Sequence, residues 1–409
     1  MAAISPAQAQ SAPGAGSFPG SMLVPGTQTS FKVGGYVKGD YVYDFSAQVN
    51  IIGGLNPGNI PLDANVPGTT EAAGHRIHGT SQMTASESRF NIETRTPTAY
   101  GELKTFIEAD FTNPSGLTNS ASLRLNTNST GLRLRHAYGT LGPVLVGQFN
   151  SLFRDVAAEF ETLDFVGPVG TAGPQRQPQF RYSYDTGLGF VAAVAAESPE
   201  LQFFESTSGG GALSTSFGKG QGMKMPDFTG ALTANFPRGH VSFRAVLRDI
   251  YDHDGTAVGV ATFGWGLGLG GHYVTWGKDA LIGQVLGGNG IGRYANLYNT
   301  MPEAAVNSAL DTIALVSAWG GSLGYQHWWT ATLRTTAAAA YLRAGYPSGV
   351  VPSVRAGLPD RIWSTHVNLI WSPVPTVDAG IEYIHETRRV GNGQEGDANR
   401  LQVSSKFKF

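Results

Sequence analysis

The chain has 409 residues, a formal net charge of −2, no cysteine and only 14% charged residues. The missing cysteines exclude disulfides, thiolate metal sites and cysteine nucleophiles. The balanced charge gives no indication of a nucleic-acid partner. The charged fraction is well below the roughly 25% of ordinary soluble domains. No apolar run approaches the roughly 20 residues of a membrane-spanning helix, but a membrane β-barrel needs no such run.

The first 21 residues are rich in Ala, Pro, Ser, Gln and Gly. Ala7-Gln8-Ala9 fits the A-x-A pattern of a signal-peptidase site, so one interpretation is a truncated leader. The other interpretation is a disordered N-terminal tail. We therefore divide the chain into a leader or disordered segment, residues 1–21, and a single β-barrel domain, residues 22–409.

Period-two alternation begins at the first long strand and returns at the end of the chain. In Ser30–Phe45, Val33, Val37 and Tyr41 share one face, and Lys38 lies on the other. In Asn399–Phe409, Leu, Val and Phe alternate with Arg, Gln, Ser and Lys. Side chains of a strand alternate faces, so each segment has one apolar and one wet face. This pattern predicts strands that separate lipid from water.

The alternation recurs in about sixteen segments, which are joined in turn by tight turns and by long polar loops. An even strand number with this asymmetry is typical of bacterial outer-membrane barrels. We therefore predict an all-β fold, a transmembrane antiparallel barrel of about sixteen strands with short periplasmic turns and long extracellular loops. The predicted strands are Ser30–Phe45, Ser88–Arg95, Gly101–Phe111, Leu132–Leu141, Val144–Phe149, Gln179–Asp185, Gly189–Glu197, Asp227–Phe236, His240–Asp249, Val258–Trp276, one ending near Arg293, Thr312–Gln326, Thr330–Arg343, Arg361–Trp371, Val377–Arg388 and Asn399–Phe409.

The wet face of the predicted strands carries many cations. A barrel of this size encloses an aqueous channel, and rings of basic side chains in a pore select anions. The alternative is that these cations only form internal ion pairs. The predicted pore-lining cations are Lys38, Arg89, Arg95, Lys104, Arg133, Arg135, Arg181, Arg244, Arg248 and Arg334.

The third long loop, Asn150–Pro178, combines aromatic residues with charges. Phe153, Phe160 and Phe165 are too many apolar groups for an exposed loop, so we predict that it folds into the lumen and narrows it. The alternative is an external cap or a trimer latch. Its predicted constriction residues are Arg154, Asp155, Glu159, Glu161 and Asp164.

Several segments resemble the DcaP-like family of trimeric outer-membrane porins. They include L-V-P-G-T-Q-T-S-F-K-V-G-G-Y-V-K-G-D (Leu23–Asp40), L-R-L-R-H-A-Y-G (Leu132–Gly139), E-T-L-D-F-V-G-P (Glu161–Pro168), G-N-G-I-G-R-Y (Gly288–Tyr294) and H-V-N-L-I-W-S-P-V-P (His366–Pro375). The resemblance implies sixteen strands, a homotrimer and uptake of small anionic solutes, often dicarboxylates. The segment before Met22 lacks the helical extension that some members carry, so trimerisation would rest on the barrel walls.

These observations predict an outer-membrane porin, a channel for passive diffusion of small hydrophilic solutes, with no catalytic residue and no cofactor. His75 and His78 have metal-like spacing but no third ligand nearby, so we predict no metal site.

The predicted partners are two further copies of the chain, outer-membrane lipid and lipopolysaccharide, and small anionic solutes. The alternatives are a phospholipase-like barrel, for which an outward His136 is the wall candidate, and an adhesive barrel without an open channel.

Overall fold

The structure is a computed structural model that describes most of the chain. The described residues are 14–45, 54–55, 57–62, 79–113, 130–170, 173, 175–205, 213–215, 224–252, 260–295, 301–307 and 312–409. The predicted leader motif and the histidine pair at positions 75 and 78 lie outside the described residues. Much of the first, second and fourth long loops also lies outside them.

The described residues form strands almost throughout. In chain order they are β1 (Met22–Leu23), β2 (Ser30–Asp44), β3 (Thr80–Thr84), β4 (Arg89–Thr98), β5 (Gly101–Asn113), β6 (Gly131–Leu141), β7 (Val144–Asn150), β8 (Arg176–Asp185), β9 (Phe190–Glu197), β10 (Gln202–Glu205), β11 (Leu213–Thr215), β12 (Asp227–Phe236), β13 (Gly239–Asp252), β14 (Val260–Val274), β15 (Ala280–Asn289), β16 (Ala304–Asn307), β17 (Thr312–Leu315), β18 (Ser317–Trp328), β19 (Leu333–Gly345), β20 (Pro359–Val374), β21 (Val377–Val390) and β22 (Glu395–Lys408).

Eighteen of these strands join one antiparallel sheet that closes into a sixteen-stranded barrel. Closure comes from β2 and β22, whose register runs from Tyr36 opposite Lys408 to Asp44 opposite Arg400. The strands β3 and β4 both pair with β2 and together occupy one position in the wall. Closure pairs every edge, as a barrel in lipid requires. The predicted fold class is therefore confirmed, although the prediction had assigned β3 to the first long loop.

The two faces of the wall differ as the alternation predicts. On β22, Val403 and Phe407 are exposed on the outer surface, whereas Arg400, Gln402 and Ser404 are buried on the inner side. The turns between β4 and β5, β6 and β7, and β12 and β13 are each two residues long, whereas β7 and β8 are separated by residues 151–175. The outer surface therefore suits lipid, and the longer connections gather at the opposite end from the tight turns.

A bulge in β6 overturns the predicted position of His136. Opposite β5, Leu134 pairs with Ala109 and His136 pairs with Glu108, so Arg135 is an extra residue. An extra residue shifts the alternation of every side chain that follows. His136 therefore points inward, where its ring lies 5.3 Å from that of Phe149, and it is not a lipid-facing residue.

The residues outside the barrel wall form small elements at the long-loop end. β10, β11, β16 and β17 make a separate four-stranded sheet, in which β10 and β16 run parallel. A single-turn helix, α1 (Pro352–Arg355), precedes β20. Within the described part of the chain, no helix is long and apolar enough to cross a membrane.

Candidate solute channel

Loop three, residues 151–175 between β7 and β8, lies inside the barrel. Phe160 and Ala158 pack with Ala280, Ile282 and Ala338 of β15 and β19. Phe153 is buried and meets the ring of Tyr294 edge-on at 5.6 Å. This apolar packing confirms the predicted inward fold of the loop.

Glycines and alanines of the wall make room for this loop. A Cβ atom on Gly324 of β18 would lie 2.5 Å from the ring of Phe160. On β14, a Cβ on Gly268 would already be in contact with the ring of Phe153, at 3.6 Å. Strand glycines weaken a sheet, but they permit another part of the chain to approach closely. We call β13–β15 and β18–β20 the small-residue wall.

Polar contacts fix the ends of loop three. Asp155 accepts hydrogen bonds from Arg244 and from Nε2 of His240, the latter at 3.0 Å. Glu161 forms a two-pronged contact with Arg334, whose Nε lies 2.6 Å from Oε2. Burial alone would raise the pKa of the Asp155 carboxyl, but the contacts with His240 and Arg244 outweigh burial and lower it. Asp155 therefore remains an anion that anchors the loop.

The segment of loop three that follows Glu161 is bound to β2 and β21, on the other side of the barrel. The backbone amide of Leu163 donates to Glu382 of β21, and the carbonyl of Leu163 accepts from Nζ of Lys38 at 2.7 Å. Asp164 accepts from the backbone amides of Leu55, Val166 and Gly167. Burial raises the pKa of the Asp164 carboxyl. Loop three thus spans the lumen and is held on both sides.

Half of the predicted pore-lining cations are buried in contacts of this kind. Arg248 is fully buried between Asp227 and Glu303, at 3.0 and 2.5 Å. Arg244, on the same strand, contacts Asp155 of loop three instead, so the two arginines bind different carboxylates. The buried set is Lys38, Arg135, Arg244, Arg248 and Arg334.

The other half lies on the wall formed by β4–β8, which we call the charged wall. The side chains of Arg89, Arg95, Lys104 and Arg133 are 18%, 32%, 27% and 27% exposed. Arg181 is half-buried. Their carboxylate neighbours are Glu93, which contacts both Arg95 and Lys104, and Asp110, which contacts both Arg133 and Arg135. Glu108 also contacts Arg89 and Arg135, and Glu102 also contacts Arg95. The five paired cations of the charged wall therefore share four carboxylates, which leaves one positive charge in excess.

Two cations facing this space have no carboxylate oxygen within 4 Å among the described residues. Arg181 donates to Gln179 and to the carbonyl of Asn150 and lies 5.3 Å from the ring of Phe149. Lys406 of β22 lies 4.9 Å from the ring of Tyr36. The alternation in the sequence already places both side chains on the inner face of the barrel. The structure adds that neither has a carboxylate partner among the described residues.

Of the five predicted constriction residues, the two glutamates are the most exposed, and the side chain of Arg154 is 15% exposed. Glu159 and Glu161 are 29% and 39% exposed, although each contacts an arginine, Arg154 and Arg334 respectively. Asp155 and Asp164 are buried. The sequence also missed the aromatic residues Phe106, Tyr138 and Phe149, which line the inner side of the charged wall beside His136. The bulge in β6 conceals the inward position of Tyr138, whereas Phe106 and Phe149 lie on the inward parity of β5 and β7.

The described residues contain no group of three or more potential metal ligands. A barrel whose lumen is crossed by an anchored loop and lined by charges belongs to the class of outer-membrane channel proteins. The family model of the DcaP outer membrane protein matches residues 21–409, and the chain belongs to that family. The protein is therefore a porin-like channel protein of the bacterial outer membrane, and the predicted family and location are confirmed.

Individual relatives agree with this assignment. The chain is similar to the crystal structure of the outer membrane channel DcaP of Acinetobacter baumannii, with a TM-score of 0.72 and 22% identity over 93% of this chain and 97% of that one. It is similar in fold to an anion-selective porin from Comamonas acidovorans, with a TM-score of 0.55 and 10% identity over 93% and 100% of the two chains. It is 28% identical to porin Omp2b of Brucella suis over 44% of this chain, and the match spans only 40% of that relative.

Proposed function

We propose that the protein is a passive, water-filled channel that prefers small anions such as dicarboxylates. The carrying observation is the charged wall, where six inward cations outnumber five inward carboxylates: Arg89, Arg95, Lys104, Arg133, Arg135 and Arg181 against Glu93, Glu102, Glu108, Asp110 and Asp185. Cations at the lining of a pore raise the local concentration of anions. The anion-selective porin among the structures of similar fold supports the same preference.

Dicarboxylates suit this lining because guanidinium groups bind carboxylates through two parallel hydrogen bonds. Arg181 and Lys406 supply cations that no carboxylate within 4 Å neutralises among the described residues. The resemblance to a dicarboxylate-transporting family supports this solute class. The same resemblance supports a homotrimer, whose mass would be three times the 43.2 kDa of one chain.

The reversal potential across a planar bilayer in a KCl gradient tests the proposal. We expect anion-selective channels in the wild type and a shift toward cations in Arg181→Gln/Lys406→Gln. The matched control is Arg238→Gln/Arg343→Gln, which removes two cations from outside the lumen and should leave the reversal potential unchanged. Cation selectivity in the wild type would refute the anion preference while keeping the channel.

Two further results separate the alternative functions. Absence of conductance steps would refute the channel and favour an adhesive barrel. Fatty acid released from phospholipid by the detergent-solubilised protein would refute the proposal that it has no enzymatic role. The inward position of His136 removes the residue that a lipid-facing hydrolase site would have used.

A further inference from the structure

Three arginines lie side by side on the outer surface of the barrel. The register places Arg343 of β19 opposite Arg361 of β20, and Arg361 opposite Arg389 of β21. Side chains directly opposite on neighbouring strands have their Cβ atoms roughly 5 Å apart. We call Arg343, Arg361 and Arg389 the arginine row.

The arginine row faces away from the lumen. Arg343 pairs with Trp319, which is half-exposed on the outer surface, while its chain neighbours Leu342 and Ala344 are buried inside. Arg361 and Arg389 follow the same parity, since the adjacent Ile362 and Arg388 are buried. The row therefore faces the membrane side of the wall.

The row also lies at a defined height. It occupies the end of β19, the start of β20 and the end of β21, where the chain leaves the barrel on the long-loop side. One residue pair lower, Tyr341 lies opposite Trp363, and the ring of Trp319 is 5.2 Å from that of Tyr341. A belt of aromatic side chains marks the interface between hydrocarbon and headgroups. The arginine row is thus at headgroup level in the outer leaflet.

The chain itself supplies little counter-charge. The single carboxylate oxygen within 4 Å of the row among the described residues belongs to the exposed Glu395, 3.9 Å from Nε of Arg389. Nε of Arg361 is buried without a hydrogen-bond partner. Like charges directly opposite each other destabilise a sheet. On four other strands, outward positions near the long-loop end carry the exposed apolar residues Phe111, Leu132, Phe228 and Phe263.

We propose that the arginine row binds the phosphate groups of a phosphorylated lipid in the outer leaflet. Guanidinium groups hold phosphate through paired hydrogen bonds, and a row of three matches a headgroup that carries more than one phosphate. The acyl chains would lie against Trp319, Tyr341 and Trp363. Bound phosphate offsets the repulsion within the row, so the lipid and the barrel stabilise each other. The site does not depend on which solutes pass through the channel.

The test compares lipid binding by the wild type and by Arg343→Gln/Arg389→Gln, both as full-length protein in detergent. Arg361 is kept because its Nε is buried. The probe is lipopolysaccharide with its lipid A phosphates, followed by the same material after enzymatic removal of those phosphates. We expect the double variant to bind the phosphorylated probe at least tenfold more weakly, because it loses the charged hydrogen bonds that two guanidinium groups donate to phosphate. Both proteins should bind the dephosphorylated probe equally.

The control variant, Arg238→Gln/Lys278→Gln, removes two cations from the tight-turn end and should bind like the wild type. Equal loss in the control, or no loss in the arginine-row variant, would refute the proposal. Displacement of the lipid by millimolar inorganic phosphate would show a free-anion site instead of a lipid site. A change in oligomeric mass with unchanged lipid binding would assign the row to a contact between copies. The reversal potential should be unaffected, so the outcome is independent of the channel proposal.

Discussion

The two walls of the barrel use charge in opposite ways. On the small-residue wall and under loop three, Arg244, Arg248 and Arg334 are buried and contact carboxylates that the loops bring to them. On the charged wall, Arg95 and Lys104 share one carboxylate and remain partly exposed to the lumen. The sequence shows the same kind of cation, on the same face of a strand, in both places.

The difference indicates that burial, and not residue type, decides which cations hold loops in place and which are the ones that we propose to act on passing solutes. Removing one partner of a buried ion pair lowers the free energy of unfolding strongly, because the other charge is left in a poorly solvated site. A partly exposed pair contributes little to stability but acts on ions that pass. Substitutions of buried cations should therefore lower stability, and substitutions of partly exposed cations should change ion selectivity.

The largest effect is expected for Arg248→Ala. Asp227 and Glu303 would be left buried without their cation, so we expect the free energy of unfolding to fall by about 3–5 kcal/mol. Urea titration of the protein in lipid vesicles measures this change. The comparison variant Arg181→Ala should cost less than about 1 kcal/mol and instead shift the reversal potential. Equal stability losses in the two variants would contradict the contrast between the walls.

Asp155→Asn weakens the anchor of loop three. At neutral pH we expect a loss of about 1.5–3 kcal/mol, since a hydrogen-bonded charge between Arg244 and His240 is removed. The pKa of Asp155 is lowered from 3.8 in the folded chain. A carboxyl with a lowered pKa contributes stability above its unfolded value and loses it as the pH falls through its folded value.

The difference between Asp155→Asn and the wild type should therefore be constant from pH 7 to about 5, decline as the pH falls past 3.8, and disappear only below the lowered pKa of the folded chain. Unfolding titrations at several pH values measure it. Glu159→Gln in the same loop is the control, because Glu159 contacts Arg154 of the same loop and is partly exposed. A difference that grows as the pH falls would refute the assigned role of Asp155.

Gly268→Val tests the small-residue wall. The Cβ atom fits, but the γ-methyl groups would meet the ring of Phe153, so we expect loop three to be displaced and stability to fall by about 1–3 kcal/mol. Single-channel conductance should rise as the lumen widens. Gly39→Val is the matched control, since nothing lies within 4 Å of a Cβ there. In a double-mutant cycle, Gly268→Val should cost less in a Phe153→Ala background than in the wild type, and an equal cost in both backgrounds would count against direct contact.

Much of the fold could be predicted because period-two alternation depends only on neighbouring residues. Lipid and water impose the alternation on Val403, Phe407 and their inner neighbours whatever the remote contacts are. The inward course of loop three could be predicted for a similar reason, since Phe153 and Phe160 require apolar surroundings. Both features follow from local composition.

The partners of the cations could not be predicted, because they come from distant parts of the chain. Glu303 reaches Arg248 from another loop, and Glu161 reaches Arg334 across 173 positions. The bulge at Arg135 has no local signal such as glycine, and it reverses the face of His136 and Tyr138. Exposure of each cation, and hence its role, depends on these remote contacts.

The smallest stability effect is expected for Arg95→Gln on the charged wall. Arg95 contacts Glu93 and Glu102, but its side chain is 32% exposed, so solvent screens the pair and the cost should be below about 1 kcal/mol. Glu93 keeps Lys104 at 3.3 Å and is not left unpaired. The same change removes one positive charge from the lumen and should shift the reversal potential measurably toward cations. A variant that lost several kcal/mol while retaining full anion selectivity would place Arg95 with the buried cations and erase the boundary between the two walls.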